Sequence, residues 1–279
     1  MPNYSYDLLR VEVADGVARA TIDHPPINLL DLRLMGELDR LETELRADDA
    51  VRIVIFDSAN PDFFLAHYDI ADLISRCGPP PAPAVTLKRF HAMLERYRLM
   101  PKVTIALLEG AARGGGSEFA LALDMRFAAI DRAILGQPEV ALGLIPGGGG
   151  TQHLARLAGR ARALEIIVGC EAFDALAAER YGWVNRALPA DKLRPFVTRL
   201  GQRIASFPAA AIARAKLAVD AALPQMHHGL MEEAQLFSAS LADPASEQRM
   251  RAYMAAGGQS KEIELRFEEA LDAAVSSLR

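Results

Sequence analysis

Two apolar runs, RIVIFD (52–57) and VTIALLE (103–109), set the tightest limit on what this chain can fold into. Neither alternates apolar with polar residues as a half-solvated strand does, so each reads as a buried strand. The sequence around them alternates strand with helix. LLRVEV (8–13) and VARATI (17–22) flank Asp15-Gly16, a hairpin signal. Leu34, Leu38, Leu41 and Leu45 recur at helical spacing through 33–47. A short helix near 69–75 and another at about 85–99 precede the second buried run, RFAAI (126–130) reads as a further strand, and CGPPPAPA (77–84) as a surface loop. Beyond about residue 200 the pattern is helix alone, over 208–222, 226–241, 246–256 and 259–277. The expectation is an α/β core over 1–200 that carries the active site and a helical region over 201–279.

The chain has 279 residues, 51% hydrophobic and 24% charged, enough to bury a sizeable core. Its formal charge of -5 argues against a nucleic-acid binder, which normally shows a basic excess. Cys77 and Cys170 stand far apart and outside any C-x-x-C pattern, so neither a disulfide framework nor a zinc site is expected. The opening MPNYSYDLLR lacks a basic stretch followed by an apolar run, and the charge-free stretch at 140–155 is short and broken by Pro146 and the glycines after it. These features point to a soluble, cytoplasmic protein without a membrane partner.

Two glycine runs stand at the starts of helices, GGG (114–116) and GGGG (147–150), and each has an acid nearby, Glu118 and Glu139. Phosphate cradling is the first candidate for such loops. Both motif tests fail: no Gly-Lys-Ser/Thr follows, and G-x-G-x-x-G would need glycine at Phe119 or Gln152. Bare N–H groups at a helix start also stabilise the oxyanion of an activated carbonyl. Two carboxylates close together push their pKa values apart and divide acid and base duties. The opposing reading is structural: glycines for tight helix–strand packing and Glu118 as a first-turn acid favoured by the helix dipole. Spacing alone does not choose between them.

The segment GAARGGGSEFALALDMRFAA, followed by GQPEVALGLIPGGGGTQHLARLAGRARALE, closely resembles the crotonase superfamily, its enoyl-CoA hydratases in particular. FFLAHYDIADL (63–73) looks like that family's Ala-Gly-Ala-Asp-Ile segment, PPINLLD (25–31) like its Pro…Asn-Ala-Leu segment, and weaker likeness runs on to about residue 240. The resemblance implies a spiral of ββα units with a helical C-terminal trimerisation region, assembled as a homotrimer or a dimer of trimers. It implies an oxyanion hole of two backbone N–H groups, those of Tyr68 and Gly115, with Ala66, His67, Asp69, Ile70, Arg113 and Gly114 near the CoA and acyl groups. Glu118 would deprotonate water, Glu139 would deliver a proton to C2, and the Gly147 N–H would help hold the water. The implied reaction is reversible syn-hydration of a 2-trans-enoyl-CoA to a 3-hydroxyacyl-CoA; the coenzyme A thioester is the substrate, and no metal or other cofactor is expected. Double-bond isomerisation and a non-catalytic acyl-CoA-binding or scaffold role are the alternatives.

Three departures from the family pattern stand out. His67-Tyr68 replaces the usual Gly-Ala, which either reshapes the pocket or leaves two ordinary packed side chains. Arg113 replaces a small or apolar residue, its partner being a substrate acid, Glu118 or Glu139, or a structural carboxylate. The family's C-terminal Pro-x-Phe is absent; GGQSKEIELRFEEALDAAVSSLR stands there, with Ile263, Phe267, Leu271 and Val275 at helical spacing. His91, His153 and the His227-His228 pair show no metal-ligand spacing.

Overall fold

The computed structural model describes residues 4–79 and 87–276. The expected loop over 77–84 lies outside the described residues from 80 onward, as does the last residue of the expected helix 259–277. The strands are β1 (Leu9–Ala14), β2 (Val17–Ile22), β3 (Ile53–Ser58), β4 (Phe63–Leu65) and β5 (Val103–Leu108), then β6 (Ala111–Arg113), β7 (Met125–Ala129), β8 (Ile134–Gly136), β9 (Phe173–Asp174) and β10 (Arg186–Leu188). They form a six-stranded sheet in the order β1-β2-β3-β5-β7-β10 and a four-stranded sheet in the order β4-β6-β8-β9. Pairing is parallel except for the β1/β2 hairpin and β8/β9. Asp15 and Gly16 turn the hairpin at φ 51° and 80°, the two successive left-handed residues that a tight primed turn requires.

The apolar runs of β3 and β5 fail to alternate because each strand is covered on both faces. Val54, Phe56, Ala106 and Leu108 join one core, beneath the helices Leu32–Ala47, Arg89–Arg98 and Gly115–Ala122. Ile53, Ile55, Ile105 and Leu107 face the other way and meet Leu193 and Val197 of the helix Ala190–Ala205. Residue 200, the expected boundary, lies inside that helix, which is packed on the large sheet. The helix-only pattern therefore begins at residue 190, and its first member belongs to the core.

Two further differences from the sequence reading concern short elements. The four-stranded sheet is not legible in the sequence, because strands of two or three residues are too short to display a period. The expected helix over 259–277 is two helices, Lys261–Glu264 and Phe267–Ser276. Ser260 caps the first through its side chain, and Glu264, at its end, is fully buried beneath the rest of the protein. The break at Leu265-Arg266 lets Glu264 and Phe267 both face inward.

The small sheet gathers three segments of the chain. β4, β6 and β8 are parallel neighbours, so the segments leaving them emerge at one end. Those segments hold residues 66–69, 114–118 and 137–139.

Candidate active site

Each of the three consecutive glycines is bare for its own reason. Gly114 adopts φ +47°, and a Cβ there would lie 3.0 Å from Oε1 of Glu139. At Gly115 a Cβ would meet the Tyr68 Cβ at 3.0 Å, and at Gly116 it would strike the Leu65 carbonyl oxygen at 2.3 Å. The helix Gly115–Ala122 that they open is buried at every residue, which explains its apolar composition. Glu118 is the one charged residue in it. Its Oε1 accepts from the N–H of Gly148 at 2.6 Å and of Gly150 at 2.9 Å.

Glu139 begins a 3-10 helix, Glu139–Leu142, just beyond β8. Gln137, fully buried, sets its side-chain amide against both oxygens of Glu139, at 3.0 and 3.1 Å. Burial pushes the Glu139 carboxyl up to about 8, and the charge of Glu233 adds to the rise. Burial raises Glu118 too, well above the usual carboxylate range, helped by the charges of Glu139 and Glu233 and opposed by the two glycine N–H donors. Carboxyls crowded in this way resist ionising together.

Glu233 is a site residue that the sequence reading misses. It comes from the helix His227–Leu241, is buried, and accepts from the N–H of Gly149 at 2.6 Å, the N–H of Thr151 at 3.1 Å, and the Thr151 hydroxyl. His91 Nε2 lies 2.9 Å from the same carboxylate. The available signal is an acid on a mostly apolar helical stripe, since Leu230, Ala234 and Phe237 share its buried face. The second glycine run is thus divided between two acids, Gly148 and Gly150 to Glu118 and Gly149 to Glu233. Gly147, the expected water donor, lines the same pocket, and its bare Cα faces the Phe237 ring, which a Cβ would meet at 2.6 Å.

Tyr68 bridges to Leu30: the Leu30 N–H donates to the His67 carbonyl at 3.0 Å, and the Asp69 N–H donates to the Leu30 carbonyl at 3.2 Å. N–H groups alternate sides along an extended segment, so that of Tyr68 points away from Leu30. Gly115, as the first helical residue, has an N–H with no intrahelical acceptor. The two nitrogens belong to facing segments, with a Cβ at Gly115 only 3.4 Å from the Tyr68 nitrogen. A pocket of about 360 Å³ opens here, lined by Tyr68, Gly115, Glu118, Glu139 and Gly147. Phe90, Leu144 and Phe237 add apolar wall, and Arg76, Lys88 and Arg89 add positive charge.

The other expected substrate contacts turn into the protein. Ala66 and Ile70 are buried in apolar clusters, and Asp69 caps the helix Ile70–Ser75 through the Ala71 N–H at 2.9 Å. The buried His67 ring lies 2.9 Å from Glu264. Tyr68 donates its hydroxyl to Asp72 at 2.8 Å and tilts against Phe90. Arg113 packs over the Phe267 ring at 4.6 Å and pairs at long range with Glu264 and Glu268, at 4.0 and 3.8 Å. Its partners are structural carboxylates, one of the readings the sequence leaves open. Among the described residues no group of three or more His, Cys, Asp or Glu is arranged to hold a metal ion, and no helix is long and apolar enough to cross a membrane.

Comparison with known proteins places this geometry in context. The family model described as enoyl-CoA hydratase/isomerase matches residues 12–258. A probable enoyl-CoA hydratase of Mycobacterium tuberculosis is 35% identical over 253 residues, covering 90% of this chain and 96% of that protein. A probable enoyl-CoA hydratase of Rhizobium meliloti is 34% identical over 253 residues, covering 90% and 96%. The solved structure titled "Crystal structure of a putative enoyl-CoA hydratase from Streptomyces avermitilis" superposes with a TM-score of 0.89 at 40% identity, over 98% of this chain and 100% of that one.

Proposed function

The chain belongs to the enoyl-CoA hydratase/isomerase family, and from that premise we propose that it hydrates a 2-trans-enoyl-CoA reversibly to the 3-hydroxyacyl-CoA. The observation that carries this reading is the presence of Glu118 and Glu139 in one pocket beside the backbone nitrogens of Tyr68 and Gly115. In this reading the two N–H groups hold the thioester oxygen and stabilise the enolate as negative charge reaches it. Burial raises both carboxyls and the pair resists ionising together, so in this reading the one negative charge is placed on Glu118, where two N–H donors on one oxygen oppose the rise. Glu139, raised to about 8, keeps the proton at neutral pH. Glu118 takes a proton from water as the oxygen adds to C3, and Glu139 supplies the proton to C2. Arg76, Lys88 and Arg89 suit the phosphates of coenzyme A. The reaction calls for no metal or redox cofactor.

The test is to incubate the purified protein with short and medium 2-enoyl-CoAs and follow the absorbance of the conjugated thioester. Loss of conjugation with formation of a hydroxyacyl product is expected. Conversion of 3-enoyl-CoA alone would replace hydration by isomerisation, and binding without turnover would leave a scaffold.

We propose further that the chain assembles as a trimer or a dimer of trimers. Along the helix Ala209–Ala221 and beside it, Phe207, Leu217, Val219 and Leu223 are 42%, 65%, 67% and 46% exposed in the single chain. Apolar exposure of that extent marks a contact surface. Light scattering at micromolar concentration should read a multiple of three chains; a monomer mass would exclude the assembly.

A further inference from the structure

The two segments that carry the Tyr68 and Gly115 nitrogens are both anchored to one short stretch near the C-terminus, residues 259–268. Glu264 is its centre. Its Oε1 accepts from the Tyr253 hydroxyl at 2.6 Å and the Gln259 N–H at 3.0 Å, and faces His67 Nε2 at 2.9 Å. The other nitrogen of His67, Nδ1, is 2.7 Å from the Tyr68 carbonyl oxygen. Both ring nitrogens face acceptors, so both donate, and the ring is an imidazolium paired with the Glu264 carboxylate. Burial opposes that charge, but the charge and hydrogen bond of Glu264 outweigh it. Gln259 Nε2 donates to Asp69 at 3.0 Å, and Arg113 lies between Glu264, Glu268 and the Phe267 ring.

The consequence is geometric. The Tyr68 N–H shares a peptide plane with the His67 carbonyl, which Leu30 holds. The next plane is held by the His67 ring on the Tyr68 carbonyl, and that ring is held by Glu264. Residues 67 and 69, on either side of one donor, and residue 113, two before the other, all converge on the same stretch. Oxyanion donors work only when fixed in advance of the reaction.

We propose that residues 259–268 form a latch that pre-positions the oxyanion pair, with Glu264 as the positioning residue acting through His67 and Arg113. The inference rests on the reading of Tyr68 and Gly115 as oxyanion donors, and its test separates the two. A 4-dimethylaminocinnamoyl thioester of coenzyme A absorbs further to the red when its carbonyl oxygen is polarised, without needing turnover. Bound to the wild-type protein it should shift, and bound to Glu264→Gln it should lose most of that shift. The kcat for enoyl-CoA hydration should fall by about 10- to 100-fold, the scale of a ~1 Å misplacement, with KM little changed. Glu264→Asp, which keeps the charge, should recover part of both.

Should Glu264→Gln not fold, Gln259→Asn serves in its place. It tolerates the local φ of 67° but is one methylene too short to reach Asp69, and should give a smaller loss of the same kind. Glu262→Gln, on the exposed side of the same stretch, should behave as wild type. Wild-type shift and kcat in Glu264→Gln, or in Gln259→Asn where that variant stands in, however much the Tm falls, overturns the inference, as does an equal loss in Glu262→Gln. An unshifted probe on the wild-type protein would remove the oxyanion reading itself and the latch with it.

Discussion

Glu118→Gln and Glu139→Gln should each lower kcat for hydration by about 10²–10⁴-fold, the usual contribution of a positioned acid or base. The substitution is close to isosteric, and the amide oxygen at 118 can still accept from Gly148 and Gly150. At 139 the new amide can still hydrogen-bond the Gln137 amide beside it. What is lost is the titrating proton. Stability should move the other way. The folded-state value of Glu139, about 8, lies above its ordinary 4.5, so the folded protein holds a proton that the unfolded chain releases between those values. Stability therefore falls as pH rises through that window. Glutamine removes the penalty, so Tm at pH 7.5 should equal or exceed that of the wild type. Kinetics and a thermal melt on the same sample check both halves. Wild-type turnover in either variant would remove that glutamate from the mechanism.

Gly115→Val should cost about 10²–10³-fold in kcat, or ~3–4 kcal/mol of transition-state stabilisation, with both glutamates untouched. The first added carbon would stand 3.0 Å from the Tyr68 Cβ, 3.3 Å from Leu30 Cδ2 and 3.4 Å from the Tyr68 nitrogen. Two further methyls would push the segments apart and occupy the space between the donors. Such donors act within about 2.7–3.1 Å of the oxyanion, and a wedge between them breaks that reach. Circular dichroism should report a folded protein that still binds a CoA ester. An active, folded Gly115→Val protein would mean that the glycines serve packing alone.

The parts legible from the sequence are those encoded over short spans. The two buried strands announce themselves because apolar side chains on both faces leave no alternation. The glycine triplet and Glu118 lie within one turn of helix, so their joint appearance survives in a linear string. Resemblance then supplies Tyr68 and Glu139 as partners. The short strands of the small sheet stay hidden, although that sheet aligns all three site segments.

Tertiary structure decided the rest, because its contacts join positions that no local pattern links. Glu118 meets the Gly150 N–H across 32 positions, and Gly149 meets Glu233 across 84. His67 meets Glu264 across 197. Nothing in the neighbourhood of His67 or Arg113 predicts an acid at the far end of the chain, and the helical spacing of 259–277 conceals the break that turns Glu264 inward. Sequence determined which residues are bare, apolar or acidic. Folding determined which buried charges face one another, because desolvation tolerates only those arrangements in which each charge finds a partner or gives up its ionisation.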